Sequence, residues 1–210
     1  MLRTITALMF AAVAFATLPT VAASAADAPP ADPRMAEHGL GKPDAPVRID
    51  EYYSLDCPHC AAFTAETLPE LQKTYIDTGK VYLVFHDFPL HEMALRATML
   101  ARCAPPDRFV PMVETLFAVQ RGWMLQTEGA SLDALKQQAK FAGLTEAQID
   151  ACLNDRGLED AILAARLDAE KTLMITATPT FIFNKNGDDR IAAAATFDTF
   201  KTKIDGLLKK

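Results

Sequence analysis

The alternation of apolar and polar positions predicts two strands with a helix between them near the start of the folded chain. Strand character is present at residues 47–53 and 81–86, and the second of these contains the alternating run Val81-Tyr82-Leu83-Val84-Phe85. Residues 61–76 between them have helical periodicity, and Gly79 follows as a stop signal. The apolar face of this helix consists of Phe63, Thr67, Leu68, Leu71 and Tyr75. A strand–helix–strand unit of this kind implies a parallel pair of strands.

The middle of the chain has the periodicity of several helices. The first apolar stripe is formed by Phe109, Met112, Val113, Leu116 and Phe117, with Gln120 as its polar end. Ser131 begins a second predicted helix. Thr145-Glu146-Ala147-Gln148 has the spacing of a capping box, and residues 158–174 form an Ala-rich helix. We interpret the Met and aromatic stripes as core, the alternative being a ligand groove.

Strand character returns near the C-terminus. Thr180-Phe181-Ile182-Phe183 and residues 190–195 are predicted strands, and the connection between them contains Asn186-Gly187, a strong hairpin signal. A last helix over residues 198–208 begins with Asp198 as its cap. The element order is therefore β-α-β, a helical insertion, then β-β-α, in about 165 residues that suffice for one domain.

The N-terminus has the pattern of a secretory signal peptide over residues 1–25. Arg3 provides the positive charge, residues 7–18 form an apolar run, and Ala23-Ser24-Ala25 provides small residues for cleavage. An uncleaved anchor is the alternative. Residues 26–46 are rich in proline, and we expect a flexible lead-in there rather than core.

The charge balance excludes one class of function. The net charge is −6, and cleavage after Ala25 would remove one basic residue and leave −7. No basic stripe is present, so nucleic acid is not an expected partner. An exported chain meets an oxidising compartment, where four cysteines are expected as disulfides or as catalytic thiols.

Cys57-Pro58-His59-Cys60 carries the chemistry of this chain. The motif follows a predicted strand and opens a predicted helix, where backbone N–H groups and the helix dipole lower the pKa of the first thiol. A protonated His59 would stabilise the Cys57 thiolate further. Such a pair exchanges disulfides through a mixed disulfide. The alternative is half of a zinc site, but Cys103 and Cys152 do not form the second close pair that zinc requires.

The motif and the element order resemble the DsbA family of exported thiol:disulfide oxidoreductases. The resemblance covers residues 46–208. It rests on three segments, which are Glu51-Tyr52-Tyr53-Ser54-Leu55-Asp56-Cys57-Pro58-His59-Cys60, Phe85-His86-Asp87-Phe88-Pro89-Leu90-His91 and Ala177-Thr178-Pro179-Thr180-Phe181. It implies an α/β thioredoxin fold with its first part at residues 47–89, an inserted α-helical domain at 90–174 and its second part at 175–210.

The resemblance also implies a role for individual residues. Cys57 would be the nucleophile and Cys60 the resolving thiol, and the Pro58-His59 dipeptide is that of strongly oxidising members. Pro179 would be the family's cis-proline, and Thr178 would pair with a bound substrate through its backbone; an ordinary proline at a strand start is the alternative. Glu51 would shuttle a proton to or from Cys60, although a glutamate in a strand is often simply exposed.

Other residues near these segments have less specific expectations. Asp56 departs from the apolar residue usual before the first cysteine, and its charge is expected to raise the pKa of Cys57. His86 and His91 are predicted in the connection to the helical insertion, with local hydrogen-bonding roles. The resemblance implies a second, non-catalytic disulfide between Cys103 and Cys152. It would act as a staple or, alternatively, as a redox lever on the active cysteines.

The expected function is that of a periplasmic oxidase that donates the Cys57–Cys60 disulfide to newly exported proteins. We expect no metal and no organic cofactor, unfolded substrates with free cysteines, and a monomer. The family resemblance implies a DsbB-type membrane reoxidant. A reductase or isomerase of the same fold is one alternative, because isomerase relatives have threonine at the position of Thr178. A copper- or zinc-binding protein that uses Cys57, His59 and Cys60 is another.

Overall fold

A computed structural model describes residues 32–193 and 195–209 of the chain. The predicted signal peptide and the first part of the predicted lead-in lie outside the described residues. Within these residues, no helix combines the length and the apolar character that a membrane crossing requires.

A mixed five-stranded sheet forms the centre of the fold. In chain order, its strands are β1 (His38–Leu40), β2 (Val47–Tyr53), β3 (Val81–Asp87), β4 (Thr180–Phe183) and β5 (Asn186–Ala192). Their order across the sheet is β1-β3-β2-β4-β5. Only β2 and β3 pair in parallel, and the other three neighbouring pairs are antiparallel. The parallel pair flanks the predicted helix, as the β-α-β pattern requires.

One continuous helical run, residues 58–76, connects β2 to β3, and we call it the active-site helix. Its successive segments are α1 (Pro58–Ala62), a π-helical segment (Phe63–Thr67), α2 (Leu68–Leu71) and a second π-helical segment (Gln72–Ile76). It begins three residues before the predicted start. The backbone N–H of Leu68 donates to the carbonyl of Phe63, five residues back. The widened turn lies directly before Pro69, which has no N–H for the helical ladder.

The predicted lead-in is wrong from Pro33 onward, because this segment belongs to the fold. A 3₁₀ turn (Pro33–Met35) is capped by Asp32, and β1 then pairs antiparallel with β3. Gly39 permits this close pairing: a Cβ there would lie 2.4 Å from the carbonyl oxygen of Leu83. Strand β1 escapes prediction because its three residues show no alternation and proline surrounds them.

Six helices lie between β3 and β4. They are α3 (Glu92–Cys103), α4 (Phe109–Ala118), α5 (Gln120–Trp123), α6 (Glu128–Phe141), α7 (Glu146–Leu153) and α8 (Arg156–Leu173), with a 3₁₀ turn (Pro106–Arg108) before α4. The capping box at Thr145 and Gln148 is present as predicted. Helix α6 begins three residues before the predicted Ser131, because the Thr127 side chain caps it by accepting the N–H of Ala130.

The β4–β5 hairpin turns at Asn184 and Lys185 rather than at the predicted Asn186-Gly187. Both turn residues have positive φ, 50° and 59°, which a two-residue hairpin of this kind requires. The backbone N–H and the side-chain oxygen of Asn184 both bond to the backbone of Arg48 in β2. These bonds fix the turn two residues before the predicted position. Strand β5 consequently begins at Asn186, four residues before the predicted start.

The last helix, α9 (Phe197–Leu207), starts one residue before the predicted cap. Thr196 is its N-cap, with extended backbone, so Asp198 lies in the first turn. There its carboxylate opposes the positive end of the helix dipole.

The two faces of the sheet pack against different helices. Ile49 and Tyr53 of β2 face the main core, which includes residues of the active-site helix, α4 and α9. Tyr52 points to the other face, where it packs with Phe88 and Ala169 of α8 in a smaller cluster. Glu51 follows the alternation of Ile49 and Tyr53, so it faces the main core beneath the active-site helix.

Candidate active site

The two active cysteines lie at the start of the active-site helix, shortly after the end of β2. Cys57 is the N-cap of α1, and its own N–H donates to the carbonyl of Ser54 at 3.0 Å. Cys57 is 5% exposed and Cys60 is fully buried, whereas Pro58 and His59 between them are exposed. Both cysteines are free thiols. A partner molecule can therefore reach Cys57 from solvent only over a small area, and it cannot reach Cys60.

The surroundings of Cys57 stabilise its thiolate. The pKa of Cys57 is lowered to about 5, chiefly because the Cys60 thiol donates a hydrogen bond to its sulfur. Burial opposes this shift, while hydrogen bonds from the backbone N–H groups of Cys60 and His59 add to it. His59 thus contributes to the thiolate through its backbone at the helix start, and its ring is exposed to solvent.

Cys60 and Glu51 form the buried, proton-holding side of the site. Burial raises the pKa of Cys60 well above its usual range, and the hydrogen bond to Cys57 and the charge of Glu51 raise it further. Glu51 is completely buried, and neither carboxyl oxygen has a hydrogen-bond partner among the described residues. Burial, and then the charge of Cys57, raise the pKa of Glu51 to about 8. Glu51 therefore holds a proton at neutral pH.

The Thr178–Pro179 segment lies directly beside Cys57. Its peptide bond is cis, and β4 begins at the next residue, Thr180. The Cys57 sulfur lies 3.3 Å from the carbonyl oxygen of Thr178, which accepts a hydrogen bond from Cys57 in its protonated form. The structure thus brings Thr178 and Pro179, which lie more than a hundred residues after the cysteines, against the nucleophile.

Gln120 is part of the site, and its role was not predicted. Its side-chain Nε2 donates to the carbonyl oxygens of Leu55 at 2.8 Å and of Cys57 at 3.0 Å. Gln120 is 9% exposed and begins α5 of the insertion. The available signal was its place at the end of an apolar helical stripe, because a polar side chain on a buried face needs a hydrogen-bonding partner.

The Asp56 carboxylate is hydrogen-bonded to two neighbouring side chains. It accepts hydrogen bonds from the Ser54 hydroxyl and from Nδ1 of His91, the latter at 2.6 Å. We expect its charge to raise the pKa of Cys57; the pKa is lowered overall, and Asp56 is not among the main causes of the shift. Asp56 thus connects the active-site loop to His91, the N-cap of α3.

His86 lies in β3, as the predicted strand over residues 81–86 requires, and not in the connection to the helical insertion. Its Nε2 contacts Oδ1 of Asp50 at 2.7 Å, and its ring stacks on Tyr52, on the face opposite to Glu51. Within residues 32–193 and 195–209, no group of three or more His, Cys, Asp or Glu side chains is arranged to hold a metal ion.

Cys103 and Cys152 are joined by a disulfide, the pairing that the resemblance implies. The bond connects α3 to α7, with 6.2 Å between the two Cα atoms. Arg34 of the N-terminal segment lies beside it, with Nη1 3.6 Å from the Cys103 sulfur, and pairs with Asp155 at 2.7 Å.

Comparison with known proteins agrees with this geometry. The family model described as Thioredoxin matches residues 34–206. Disulfide bond formation protein D from Bacillus subtilis is 30% identical over 182 residues, which cover 81% of this chain and 76% of that protein. The chain belongs to the thioredoxin family, among its DsbA-like proteins.

Other DsbA-like proteins align over much of the chain. The crystal structure of Wolbachia pipientis alpha-DsbA1 has a TM-score of 0.76 at 29% identity, covering 81% of this chain and 90% of that one. A putative protein-disulfide oxidoreductase from Rickettsia bellii is 30% identical over 69% of this chain. The chain spans only 56% of the length of that Rickettsia relative.

In this DsbA-like site, the asymmetry between the two thiols sets the possible chemistry. Cys57 is largely ionised at neutral pH, while Cys60 keeps its proton beside a protonated Glu51. A thiolate of low pKa is a good leaving group, and its stabilisation favours the reduced pair. The arrangement is suited to thiol–disulfide exchange in which Cys57 receives the partner sulfur.

Proposed function

We propose that this protein is an exported thiol:disulfide oxidoreductase that donates its Cys57–Cys60 disulfide to newly exported proteins. The observation that carries the proposal is the different placement of the two cysteines: Cys57 caps the start of α1, whereas Cys60 is fully buried near Glu51. This placement lowers the pKa of Cys57 to about 5 and raises that of Cys60. Each unit of depression is about 1.4 kcal/mol of thiolate stabilisation. That stabilisation exists only in the reduced protein, so it drives electrons from the substrate to this pair.

The reaction begins with the oxidised protein. A substrate thiolate attacks the sulfur of Cys57, the bond between Cys57 and Cys60 breaks, and Cys60 leaves as a thiolate. Glu51 supplies a proton to Cys60, because its buried carboxyl is protonated at neutral pH. A second substrate thiolate then attacks the substrate sulfur of the mixed disulfide, and Cys57 leaves as a stable thiolate. The substrate loses two electrons and the protein gains them.

The substrate chain is held at the Thr178–Pro179 segment. The Thr178 carbonyl faces the Cys57 sulfur at 3.3 Å, so a bound extended chain would reach the nucleophile there by backbone pairing. Pro179 has no N–H to compete for that pairing. Pro58 and His59 are exposed beside it, and the positive charge of a protonated His59 would favour the approach of an anionic thiolate.

The rest of the proposal concerns the cell. The signal-like pattern of residues 1–25 supports export to the periplasm, where a monomer of this protein would meet unfolded chains with free cysteines. A DsbB-type membrane protein would restore the Cys57–Cys60 disulfide after each turnover. The proposed cycle requires no metal and no organic cofactor in this chain.

Equilibration of the Cys57–Cys60 pair in a glutathione buffer series tests this proposal. We expect a reduction potential at or above that of protein disulfide isomerase, roughly −180 mV. A value near that of thioredoxin, roughly −270 mV, would make the protein a reductase and would remove the reason for a DsbB-type partner. A second pair of rates tests the isomerase alternative. If the protein restores a substrate with scrambled disulfides faster than it oxidises a reduced substrate, an isomerase is favoured.

A further inference from the structure

A groove of about 260 Å³ runs between the active-site helix and α4. Its lining is mostly apolar and includes Ala61, Thr64, Leu68 and Pro69 on one wall and Glu114 and Ala118 on the other. The groove lies on the side of the helix that faces the insertion. The proposed mechanism does not use it.

One end of the groove lies next to the nucleophile. The N–H of Ala61 donates to the carbonyl oxygen of Cys57 at 3.2 Å. On the opposite wall, Ala118 is two residues before Gln120, whose side chain bonds to that same carbonyl. The groove therefore starts within one helical turn of Cys57 and leads away from it.

Glu114 is the one charged residue that lines the groove. It is half-buried in the middle of α4, and no hydrogen bond or ion pair of its carboxylate occurs within the described parts of the chain. Burial raises the pKa of Glu114 above its usual value. An acidic group in such a setting gains most from a cation that brings its own apolar surface.

We propose that this groove binds the part of a client chain next to its reacting cysteine, and that Glu114 selects a lysine or arginine in that part. The inference rests on the proposed function and adds a preference for clients in which a basic residue is accompanied by small or apolar ones. The stem of a lysine packs along Leu68 and Ala118 while its ammonium group pairs with Glu114.

The dimensions fit a short peptide segment. The lining positions from Ala61 to Gln72 are separated by eleven helical steps, about 16 Å at the usual helical rise. An extended chain covers this distance in about five residues. A client held as a mixed disulfide at Cys57 must leave the site over the surrounding surface, and this groove offers that segment both apolar contact and an unmatched negative charge.

The test measures oxidation rates of synthetic dithiol peptides by the fully oxidised protein. Each pair of peptides has either lysine or norleucine at one position, and this position is moved through the residues on either side of the first cysteine. We expect lysine to be preferred at one or two positions, and Glu114→Gln to reduce that preference about three- to fivefold at low ionic strength. Added salt should reduce it as well.

Two variants separate binding in the groove from general effects. Glu66→Gln changes an exposed glutamate of the active-site helix that does not line the groove, so it should keep the lysine preference. Ala118→Phe fills the groove from an exposed position; we expect slower oxidation of peptides and unchanged oxidation of dithiothreitol. Comparing the lysine-to-norleucine ratio between variants cancels the effect of lysine on the peptide thiol itself.

Equal lysine preference in the wild-type and Glu114→Gln proteins would overturn the inference, as would normal peptide oxidation by Ala118→Phe. Both outcomes leave the proposed function intact, because norleucine peptides and dithiothreitol would still be oxidised. Failure of the wild-type protein to oxidise any of these thiols would overturn the proposed function, and this inference with it.

Discussion

The side-chain amide of Gln120 donates a hydrogen bond to the carbonyl oxygen of Cys57 at 3.0 Å, across the boundary between the helical insertion and the thioredoxin fold. The same nitrogen reaches the carbonyl of Leu55 at 2.8 Å. These two carbonyls flank Asp56 in the loop that leads into α1. The insertion thus holds the loop whose geometry directs the N–H groups of His59 and Cys60 at the Cys57 sulfur.

Replacing Gln120 should change the nucleophile as well as the stability. We expect Gln120→Ala to lower the free energy of unfolding by about 1–3 kcal/mol, because two buried carbonyls lose their donor. The pKa of Cys57 should rise as the loop relaxes, which ultraviolet absorbance of the thiolate measures in a pH titration. Gln137→Ala, at an exposed position of α6, is the control. A pKa of Cys57 that stays near 5 in Gln120→Ala would show that Gln120 is merely structural.

The reduced protein should lose stability in acid while the oxidised protein does not share this loss. The folded pKa of Cys57 is about 5 and that of an unfolded thiol is about 9. A lowered pKa stabilises the fold above the unfolded value, and this contribution is lost as pH falls through the folded one. At pH 7 about 3 kcal/mol remains, at about 1.4 kcal/mol per unit. Denaturant unfolding of both redox forms at pH 7 and pH 4 measures the change; a constant difference between them would falsify the assigned thiolate.

The contribution of Glu51 to stability should depend on pH with the opposite sign. Its folded pKa is raised to about 8 from a usual 4.5. Below about pH 4.5 the carboxyl is protonated in both the folded and the unfolded protein, so stability does not depend on its titration there, and the reduced protein loses stability as pH rises from there towards 8. Glu51→Gln should remove this loss, so the variant gains several kcal/mol over the wild type at about pH 8 and little at about pH 4.

A second measurement on Glu51→Gln isolates its role as a proton donor. Release of Cys60 from the disulfide should slow in the variant, since glutamine has no proton to give. Stopped-flow reduction of the oxidised protein by a small thiol measures that step. Glu66→Gln should leave both the rate and the pH dependence of stability unchanged. An unchanged rate in Glu51→Gln would remove Glu51 from the mechanism.

The sequence predicts most of this fold because its elements have strong local signals. The strand at Val47–Tyr53, the capping box at Thr145 and the motif Cys57-Pro58-His59-Cys60 are each recognisable within a few residues. The family resemblance adds the proximity of Pro179 to Cys57, which no local pattern contains.

The features that the sequence does not predict depend on contacts between distant residues. Gln120 is significant only because it meets the Cys57 carbonyl, and the hairpin turns at Asn184 because Arg48 of β2 bonds to it. The hydrogen bond between the Asp56 carboxylate and His91 likewise becomes visible only in the fold. Tertiary pairing overrides the local signal in each case.

Gly39 should be intolerant of any side chain. A Cβ at this position would lie 2.4 Å from the Leu83 carbonyl oxygen and 2.7 Å from Tyr82, so Gly39→Ala must displace β1 from β3. We expect a lower melting temperature and faster amide exchange along the edge of β3 that pairs with β1 in the wild-type protein. Gly129→Ala is the matched control, because nothing lies within 4 Å of a Cβ there. In helix α6 it should stabilise by about 0.5–1 kcal/mol. Equal melting temperatures for the two variants would contradict the close packing of β1.

The second disulfide should stabilise the protein without setting the potential of the first. It closes a loop of 49 residues, worth about 4 kcal/mol in the chain-entropy model. We therefore expect Cys103→Ser with Cys152→Ser to lower the free energy of unfolding by up to that amount.

A route by which the disulfide could act on the active site does exist. Arg102, next to Cys103, bonds to Asp87 at 2.6 Å, and Asp87 accepts from Tyr53 of β2, two residues from Glu51. The reduction potential of Cys57–Cys60 in the double variant decides between the two roles. An unchanged potential means that the disulfide is a staple. A shifted potential, with the pKa of Cys57 moved in the corresponding direction, would mean that this buried chain of side chains transmits its redox state.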